Sequence, residues 1–301
     1  MDTKVDNEDL QTLIASRFGE LSPQLQRAAR YMLEHGDDVA MGSMRELAQA
    51  AGLPPVTFVR LARRLGFESY SQMRAGFQER LRQGEGSWSY TPKLRSLQQR
   101  QAGTTALLQE LFGMEANNLE AALANNDAAV WERAVEAIEQ AERVYALGQR
   151  SSYSPAFLFT YVYRLFRGNG TLLDDRAGTV IDELRHVDGS SLIIAISVAP
   201  YTAAVVHALA YARDAGARIL AITDDALSPI ARRADVTLLA KAATPSFFHS
   251  IVPCIALVQA LLALVAMRGG DEIVREIRCA EDQLERYRAY WPKGADGEAR
   301  P

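Results

Sequence analysis

Arginines are concentrated in one short stretch near the N-terminus, and arginine is a side chain well suited to contact a polyanion. Residues 41–82 carry seven arginines against three glutamates, whereas residues 1–40 and 83–301 each have a net charge of −4. Guanidinium groups neutralise phosphates and bind the edge of guanine through two parallel hydrogen bonds. Contact with nucleic acid is therefore the first chemistry to consider. The candidate residues are Arg45, Thr57, Arg60, Arg63 and Arg64.

The sequence around these arginines predicts two short helices joined by a tight turn. Ser43, followed three residues later by Glu46, is a capping box, which places a first helix over 44–51. Gly52 supplies the backbone freedom of a turn, and prolines at 54 and 55 suit the first turn of a second helix over 55–65. Two helices joined in this way form a helix-turn-helix, whose second helix reads DNA in the major groove.

The second helix is expected to turn an apolar stripe inward and its polar residues outward. The inward stripe is Val56, Val59, Ala62 and Leu65, which leaves Thr57 and the three arginines outside. A solvated surface helix would also carry arginines, so the charges alone leave both interpretations open. The capping box, the turn and the local reversal of charge together favour DNA binding.

Beyond residue 143, short apolar runs alternate with longer amphipathic ones. Strands without polar alternation, separated by helices, predict a doubly wound parallel sheet covered on both faces, an α/β fold. The predicted strands are 144–147, 171–173, 192–197, 218–223 and 236–239. The predicted helices are 152–166, 177–186, 202–214, 229–233, 246–267 and 271–289, preceded by two helices between 94 and 140.

Two of the predicted strand ends carry residues suited to bind a small anion. Ligands of an open parallel sheet bind beyond the carboxyl ends of its strands, where helix N-termini present free N–H groups. The candidates after the first strand are Gly148, Arg150, Ser151 and Ser152, and those after the third are Ser197, Tyr201 and Thr202. Serine and threonine at these positions are also common as simple helix caps, and this alternative stays open.

Three motifs in residues 41–77 carry a family resemblance: ELA-x-x-AG at 46–52, T-x-x-R at 57–60 and LGF at 65–67. The stretch resembles the N-terminal domain of the bacterial RpiR/MurR transcription regulators. The resemblance implies an all-α helix-turn-helix head that binds double-stranded operator DNA, followed by a sugar isomerase (SIS) domain over about 143–266. One departure is a proline, Pro54 or Pro55, where the family commonly has a serine in the turn. The proline lacks a hydroxyl that could donate a hydrogen bond to a DNA phosphate.

The SIS patterns G-x-G-x-S and S-x-S-G-x-T are only partly kept in this chain. The kept residues are Gly148, Ser152, Ser197 and Thr202. Arg150 replaces a glycine, Ala199 removes a hydroxyl, and Pro200 removes an N–H donor. Arg150 can compensate, because a guanidinium binds phosphate or carboxylate through two hydrogen bonds. We therefore expect a small anionic, sugar-derived effector, either a sugar phosphate or a sugar acid.

Two other functions fit the same second domain. A sugar-phosphate isomerase or lyase needs a positioned base, and the candidates lie in no motif that we can connect with catalysis. These candidates are Glu183, His186, His207 and His249. The domain can also serve only as a dimerisation scaffold. We expect a regulator rather than an enzyme, without a cofactor or a metal, since the two cysteines match no ligand spacing.

Length favours two domains, because 301 residues exceed what one hydrophobic core usually serves. The predicted parts are a DNA-binding domain (1–82), a linker and connecting helix (83–126), an SIS-like effector-binding and oligomerisation domain (127–290) and a polar tail (291–301). The acidic N-terminus lacks the features of a signal peptide, and the apolar run 252–267 is shorter than the roughly 20 residues that cross a bilayer. We expect a cytoplasmic homodimer or tetramer without membrane contact, in which this run and the C-terminal helix contact neighbouring subunits.

Overall fold

A computed structural model of the chain describes residues 13–14, 17–82, 89–100, 103–175 and 178–291. The side chains of 34, 37, 38, 41 and 79–82 lie outside this description, and so do the first residues of the predicted linker (83–88) and the predicted tail beyond residue 291. Two of the seven arginines of the positive stretch, Arg80 and Arg82, are among these side chains. The chain divides into two compact units, Met1–Gln99 and Arg100–Pro301.

The described part of the first unit is helical. A 3₁₀ turn at Phe18–Glu20 is followed by α1 (Pro23–Glu34), α2 (Gly36–Met41), α3 (Met44–Ala50), α4 (Pro55–Arg64), α5 (Tyr70–Arg82) and α6 (Thr91–Gln99). The core of this unit contains the fully buried side chains of Met32, Phe58, Leu61 and Met73. Arg74 of α5 donates hydrogen bonds to the carbonyl oxygens of Val39 and Ala40, at 3.0 and 2.9 Å, and so ties α5 to the end of α2.

The helix-turn-helix forms as predicted, from local signals. The N–H of Glu46 donates to Ser43 Oγ at 3.3 Å, and the N–H of Ser43 donates back to the Glu46 carboxylate at 2.8 Å. The pKa of the Glu46 carboxyl group is lowered, chiefly because the backbone N–H of Ser43 donates a hydrogen bond to it, with a further contribution from the Ser43 side chain. Gly52 and Gly66 take the left-handed conformation, with φ of +62° and +96°, in the turns after α3 and α4. Glycine adopts this conformation without the steric cost that a Cβ brings.

The predicted orientation of α4 is wrong at two positions. Thr57 is buried, with 3% of its surface exposed, whereas Val56 is 58% exposed. Residues three apart, such as those of the predicted stripe, drift by about 60° at each step around a helix. The buried face instead follows the mixed spacing of three and four that keeps residues on one side. Its members are Thr57, Phe58, Leu61, Ala62 and Leu65.

The second unit contains the predicted doubly wound α/β fold. Five parallel strands occur in the order β2-β1-β3-β4-β5. They are β1 (Arg143–Gly148), β2 (Gly170–Leu173), β3 (Ser191–Ile196), β4 (Arg218–Thr223) and β5 (Val236–Leu239). The helices are α7 (Thr104–Ala124), α8 (Ala128–Glu139), α9 (Tyr153–Tyr163), α10 (Val180–Glu183), α11 (Ala203–Asp214), α12 (Val252–Arg268) and α13 (Gly270–Tyr287), with 3₁₀ turns at Arg150–Ser152, Leu184–His186 and Ala231–Arg233.

Alternate residues of the central strands enter two separate cores, one on each face of the sheet. On β3, Leu192 and Ile194 pack with α8, α9 and α12, whereas Ile193 and Ala195 pack with α11. The side chains of β3 are buried along its whole length, as expected for a parallel strand covered on both faces.

Three predicted helices differ clearly from the observed structure. The one expected over 229–233 is only the 3₁₀ turn Ala231–Arg233. The helix expected over 246–267 begins at Val252, because Pro253 is tolerated only in the first turn of a helix. The helix expected over 177–186 consists of α10 and a 3₁₀ turn. Between 94 and 140 there are three helices, α6, α7 and α8, rather than two.

Side-chain hydrogen bonds join the long helix α7 to the segment that follows β5. Asn118 Nδ2 donates to the carbonyl oxygen of Ala243 at 2.7 Å, and Ser250 Oγ donates to the Glu115 carboxylate at 2.8 Å. Asn126, just beyond α7, both donates to the carbonyl oxygen of Leu239 (2.9 Å) and accepts from its N–H (2.8 Å). The helix expected in a connecting segment is therefore part of the α/β unit.

No single helix in the described ranges is long and apolar enough to cross a membrane. The consecutive helices α12 and α13 satisfy length and composition only as a pair, and the chain bends by 115° between them.

Cys254 provides a test of the core around α12. Its side chain is 1% exposed, and burial raises the pKa of its thiol to about 12. In the variant Cys279→Ser, which leaves Cys254 as the only thiol, we expect iodoacetamide at pH 8 to modify the native protein negligibly and the urea-unfolded protein fully. Mass spectrometry measures the modified fraction. Rapid modification in the native state would contradict the packing of α12 described above.

Candidate functional site

The first candidate surface is the outward face of α4. Arg60, Arg63 and Arg64 are exposed on this helix, and Arg45 is exposed on α3. The four arginines therefore stand on the surface of the helix-turn-helix, as predicted. Thr57 does not join them, because its side chain lies in the core, and its predicted outward position is corrected here. Val56 takes the outward place instead.

The second candidate site lies where the strand order of the sheet reverses. β1 has β2 on one side and β3 on the other, and Gly148 at the end of β1 is in register with Ile196 at the end of β3. The helix after β1 packs on one face and the helix after β3 on the other. A crevice opens at such a switch point, outside the carboxyl ends of the strands. Both predicted anion-binding segments, 148–152 and 197–202, follow these two strands.

The segment after β1 depends on Gly148 for a close backbone approach. A Cβ at this position would overlap the carbonyl oxygen of Ser152 and lie 3.0 Å from the Cβ of Ala156. The structure thus assigns Gly148 a packing role, which allows the chain to turn directly from β1 into the 3₁₀ turn and α9.

Arg150 occupies the left-handed region, with φ of +55°. This is the position where the SIS pattern has its second glycine. A non-glycine residue with this backbone conformation lowers the stability of the fold by on the order of 1 kcal/mol. The Arg150 guanidinium is therefore positioned beyond the carboxyl end of β1 at a cost in stability. Its side chain is exposed, and an exposed guanidinium is available to a negatively charged ligand.

The two serines after Arg150 differ in their surroundings. Ser151 Oγ lies 2.7 Å from Nε2 of His249, a residue 98 positions further along the chain. Ser152 is 4% exposed and occupies the N-cap of α9, but its side chain makes no capping hydrogen bond. The simple capping interpretation therefore does not describe Ser152.

The segment after β3 has few free donors. Ser197 is 2% exposed, and its N–H donates to the carbonyl oxygen of Ile222 at 3.1 Å. The N–H of Ala199 donates to both carboxylate oxygens of Asp224, each at 3.3 Å. Pro200, joined to Ala199 by a cis peptide bond, has no N–H. Thr202 is the N-cap of α11 and, like Ser152, makes no side-chain capping bond.

Asp224 brings a negative charge close to this second segment. It follows β4, and burial raises the pKa of its carboxyl group, while the N–H of Ala199 acts in the opposite direction. Burial is also the largest cause that raises the pKa of the Tyr201 hydroxyl. The negative charges of Asp224 and Asp225 raise this pKa further. Tyr201 and Asp224 influence each other's pKa, so this tyrosine lies close to the carboxylate.

The residues weighed as catalytic bases are dispersed. His186 and His207 are exposed, in the 3₁₀ turn after α10 and on α11. Burial raises the pKa of Glu183, whose neighbours include Asp174 and Asp175 after β2. Among the described side chains of these candidate bases, that of His249 contacts a candidate effector residue, Ser151. In the described ranges, no group of three or more His, Cys, Asp or Glu side chains is placed to hold a metal ion.

Sequence reasoning placed Val56 and Thr57 on the wrong faces of α4, did not assign Asp224 to the effector site and did not connect His249 with Ser151. Val56 was assigned to the core, although the spacing of three and four on α4 indicates the correct face. Asp224 follows a strand that neighbours β3, so its presence at the edge could have been inferred. His249 lies beyond the last strand, and no local signal indicates that it reaches Ser151.

A helix-turn-helix head followed by a parallel α/β domain defines a DNA-binding transcription regulator. Residues 8–84 match the helix-turn-helix domain of the rpiR family, and residues 137–264 match the SIS domain. The sugar isomerase domain of the RpiR transcription factor from Sphaerobacter thermophilus is 30% identical, with a TM-score of 0.56, over 58% of this chain and 98% of that one. The chain therefore belongs to the RpiR family of transcription regulators.

Two further relatives extend over most of the chain. The HTH-type transcriptional regulator HexR of Pseudomonas aeruginosa is 26% identical over 228 residues, which is 75% of this chain and 76% of that protein. The structure of the Vibrio vulnificus NanR protein complexed with ManNAc-6P has a TM-score of 0.55 at 20% identity and covers 94% of this chain and all of that one. At this identity, the likeness to NanR concerns the fold.

Gly148 can be tested against a matched glycine on α7. Gly148→Ala should lower the free energy of unfolding by about 1–3 kcal/mol, because the new methyl group overlaps the Ser152 carbonyl. Gly113→Ala, whose Cβ would meet nothing within 4 Å, should leave stability unchanged or raise it by up to about 1 kcal/mol. Urea unfolding measures both. Equal stability of the two variants would contradict the close approach after β1.

Proposed function

We propose that this RpiR-family regulator binds a palindromic operator through α4 and changes its operator affinity when a small anionic, sugar-derived metabolite binds at the switch point of the sheet. The observation that carries the effector half of the proposal is topological. The two segments chosen from sequence, 148–152 and 197–202, follow the adjacent strands β1 and β3 at the same edge. A small-molecule site in an open parallel sheet requires two such segments beside each other at the carboxyl ends of the strands.

The anionic group of the effector is assigned to the segment after β1 rather than to the one after β3. Arg150 is exposed there, beside the serines at the start of α9. In the segment after β3, the N–H of Ala199 already donates to Asp224, and Pro200 has no N–H. A second anion close to the Asp224 carboxylate would be repelled, because both charges would be partly removed from water.

A sugar phosphate is supported as the effector class by the relative of the same fold, since the Vibrio vulnificus NanR protein was solved with ManNAc-6P. A sugar acid satisfies the same guanidinium chemistry, because Arg binds carboxylate and phosphate alike. The hydroxyl groups of either compound can donate to the Asp224 carboxylate or exchange hydrogen bonds with the hydroxyl of Thr202.

Operator binding is proposed for a cytoplasmic homodimer or tetramer. Two-fold symmetry places two α4 helices on half-sites about one helical turn of DNA apart. An effector then acts by favouring one arrangement of the two heads, with a coupling free energy on the order of 1–3 kcal/mol. The acidic remainder of the chain, with its negative net charge, limits non-specific adhesion to DNA.

Substitution of the outward arginines tests the DNA-binding half of the proposal. Arg60→Ala and Arg63→Ala should each weaken operator binding by about 1–3 kcal/mol if the arginine reads a base, and should lower the salt dependence by about one counterion if it contacts a phosphate. Fluorescence anisotropy at several salt concentrations measures both quantities. Arg133→Ala, an exposed arginine on α8, is the charge-matched control and should bind as the wild type does. Unchanged affinity and salt slope in both α4 variants would exclude α4 as the reading helix.

Arg150→Gly separates a ligand-binding role from a structural one. Glycine removes the guanidinium and relieves the left-handed strain, so the melting temperature without effector should stay the same or rise. The thermal stabilisation by an active sugar phosphate or sugar acid, identified with the wild type, should be lost. Arg133→Ala should keep it. If no hexose phosphate or aldonic acid stabilises the wild type, the effector class is wrong, and if Arg150→Gly still responds, the anion lies elsewhere.

A further inference from the structure

Val56 is an exception on the surface of the first unit. Among the described side chains of residues 17–78, it is the one large aliphatic or aromatic side chain counted as exposed, with 58% of its surface accessible. Apart from Pro55, the other apolar side chains of α4 are buried or half-buried, including Val59, which packs against the core. An isolated exposed valine needs no special explanation, but the position of this one does.

Val56 lies in the middle of the cationic face of α4. On a helix with 3.6 residues per turn, Arg60 and Arg63 fall within about 40° of Val56, one on each side, and the buried face lies opposite. All three side chains are exposed. Val56 also belongs to the first turn of α4, and the N-terminal residues of a recognition helix are the ones that contact base edges.

The major groove offers an aliphatic side chain one apolar partner, the 5-methyl group of thymine. The remaining edges in the groove are hydrogen-bond donors and acceptors, which a valine cannot satisfy. The flanking arginines can bind phosphates by charge and guanine edges by hydrogen bonds, so the same face of α4 would contact DNA. A valine between them is therefore placed against bases rather than against the phosphate backbone.

We propose that Val56 reads a thymine in each operator half-site through contact with its methyl group. The proposal rests on α4 being the DNA-reading helix, as proposed above. It makes Val56 a residue that determines sequence specificity, whereas the charge of Arg60 and Arg63 supplies much of the affinity.

Deoxyuridine provides a probe that changes only the methyl group. DNA selected by the full-length protein from a random library is resynthesised with each symmetry-related pair of thymines replaced by deoxyuridine. For one pair, the wild type should bind about fourfold more weakly per half-site, or about sixteenfold for the symmetric pair, because about 0.8 kcal/mol is lost with each buried methyl group. Fluorescence anisotropy at fixed salt measures the ratio of dissociation constants for the two DNAs.

Two variants assign the effect to Val56. Val56→Ala should bind the thymine and deoxyuridine DNAs with dissociation constants that differ by less than twofold. Its melting temperature should be unchanged, because the side chain is exposed. Val59→Ala removes the same atoms from the half-buried side of α4 and should retain the wild-type preference, about fourfold per half-site, at the same position.

The outcomes separate this inference from the proposed function. A wild type indifferent to every deoxyuridine pair, or a Val56→Ala variant that keeps the full penalty, would overturn the reading of thymine by Val56. If Arg60→Ala and Arg63→Ala weaken binding in the same assays, such a result leaves α4 as the reading helix. If those two variants bind normally, the proposed function itself has failed, and the inference fails with it.

Discussion

The order in which strands are added to the sheet reverses at β1, and the second unit depends on this position. The chain leaves β1 to form β2 on one side and later returns to add β3, β4 and β5 on the other. Helices after β1 and β3 consequently pack on opposite faces, and their N-termini diverge at one edge. Arg150 and Asp224 each follow the carboxyl end of a strand of this sheet, β1 and β4 respectively. The close approach at Gly148 allows the chain to turn directly from β1 towards α9.

In the first unit, the rotation of α4 about its axis has a similar importance. Phe58 and Leu61 are fully buried, and their packing determines which residues face away. The helix therefore separates two tasks, since one face contributes to the free energy of folding and the opposite face carries the arginines and Val56. Substitutions on the outward face should cost little stability, because most surface substitutions change the free energy of unfolding by less than about 0.5 kcal/mol.

Features encoded by neighbouring residues were predictable, and features that join distant residues were not. The capping box at Ser43, the turn at Gly52 and the five strands follow from local chemistry and hydrophobic pattern, and they appear in the structure. The orientation of α4 requires knowing which residues its neighbours cover. The contact of Ser151 with His249 spans 98 positions, and that of Ala199 with Asp224 spans 25. Such contacts depend on the assembled sheet, so the composition of each segment alone could not reveal them.

The hydrogen bond between Ser250 and Glu115 has a mechanical consequence. Ser250 follows His249, which contacts Ser151 at the candidate effector site, and Glu115 belongs to α7, the first helix of the second unit. A ligand that displaces Ser151 must either break its contact with His249 or pull residues 249–250 along. In the second case, the displacement is transmitted to α7 through the hydrogen bond of Ser250 to Glu115. A second hydrogen bond, from Asn118 to the carbonyl oxygen of Ala243, also joins α7 to this segment. The hydrogen bonds of Ser250 and Asn118 thus join α7, the first helix of the second unit, to the segment that carries His249.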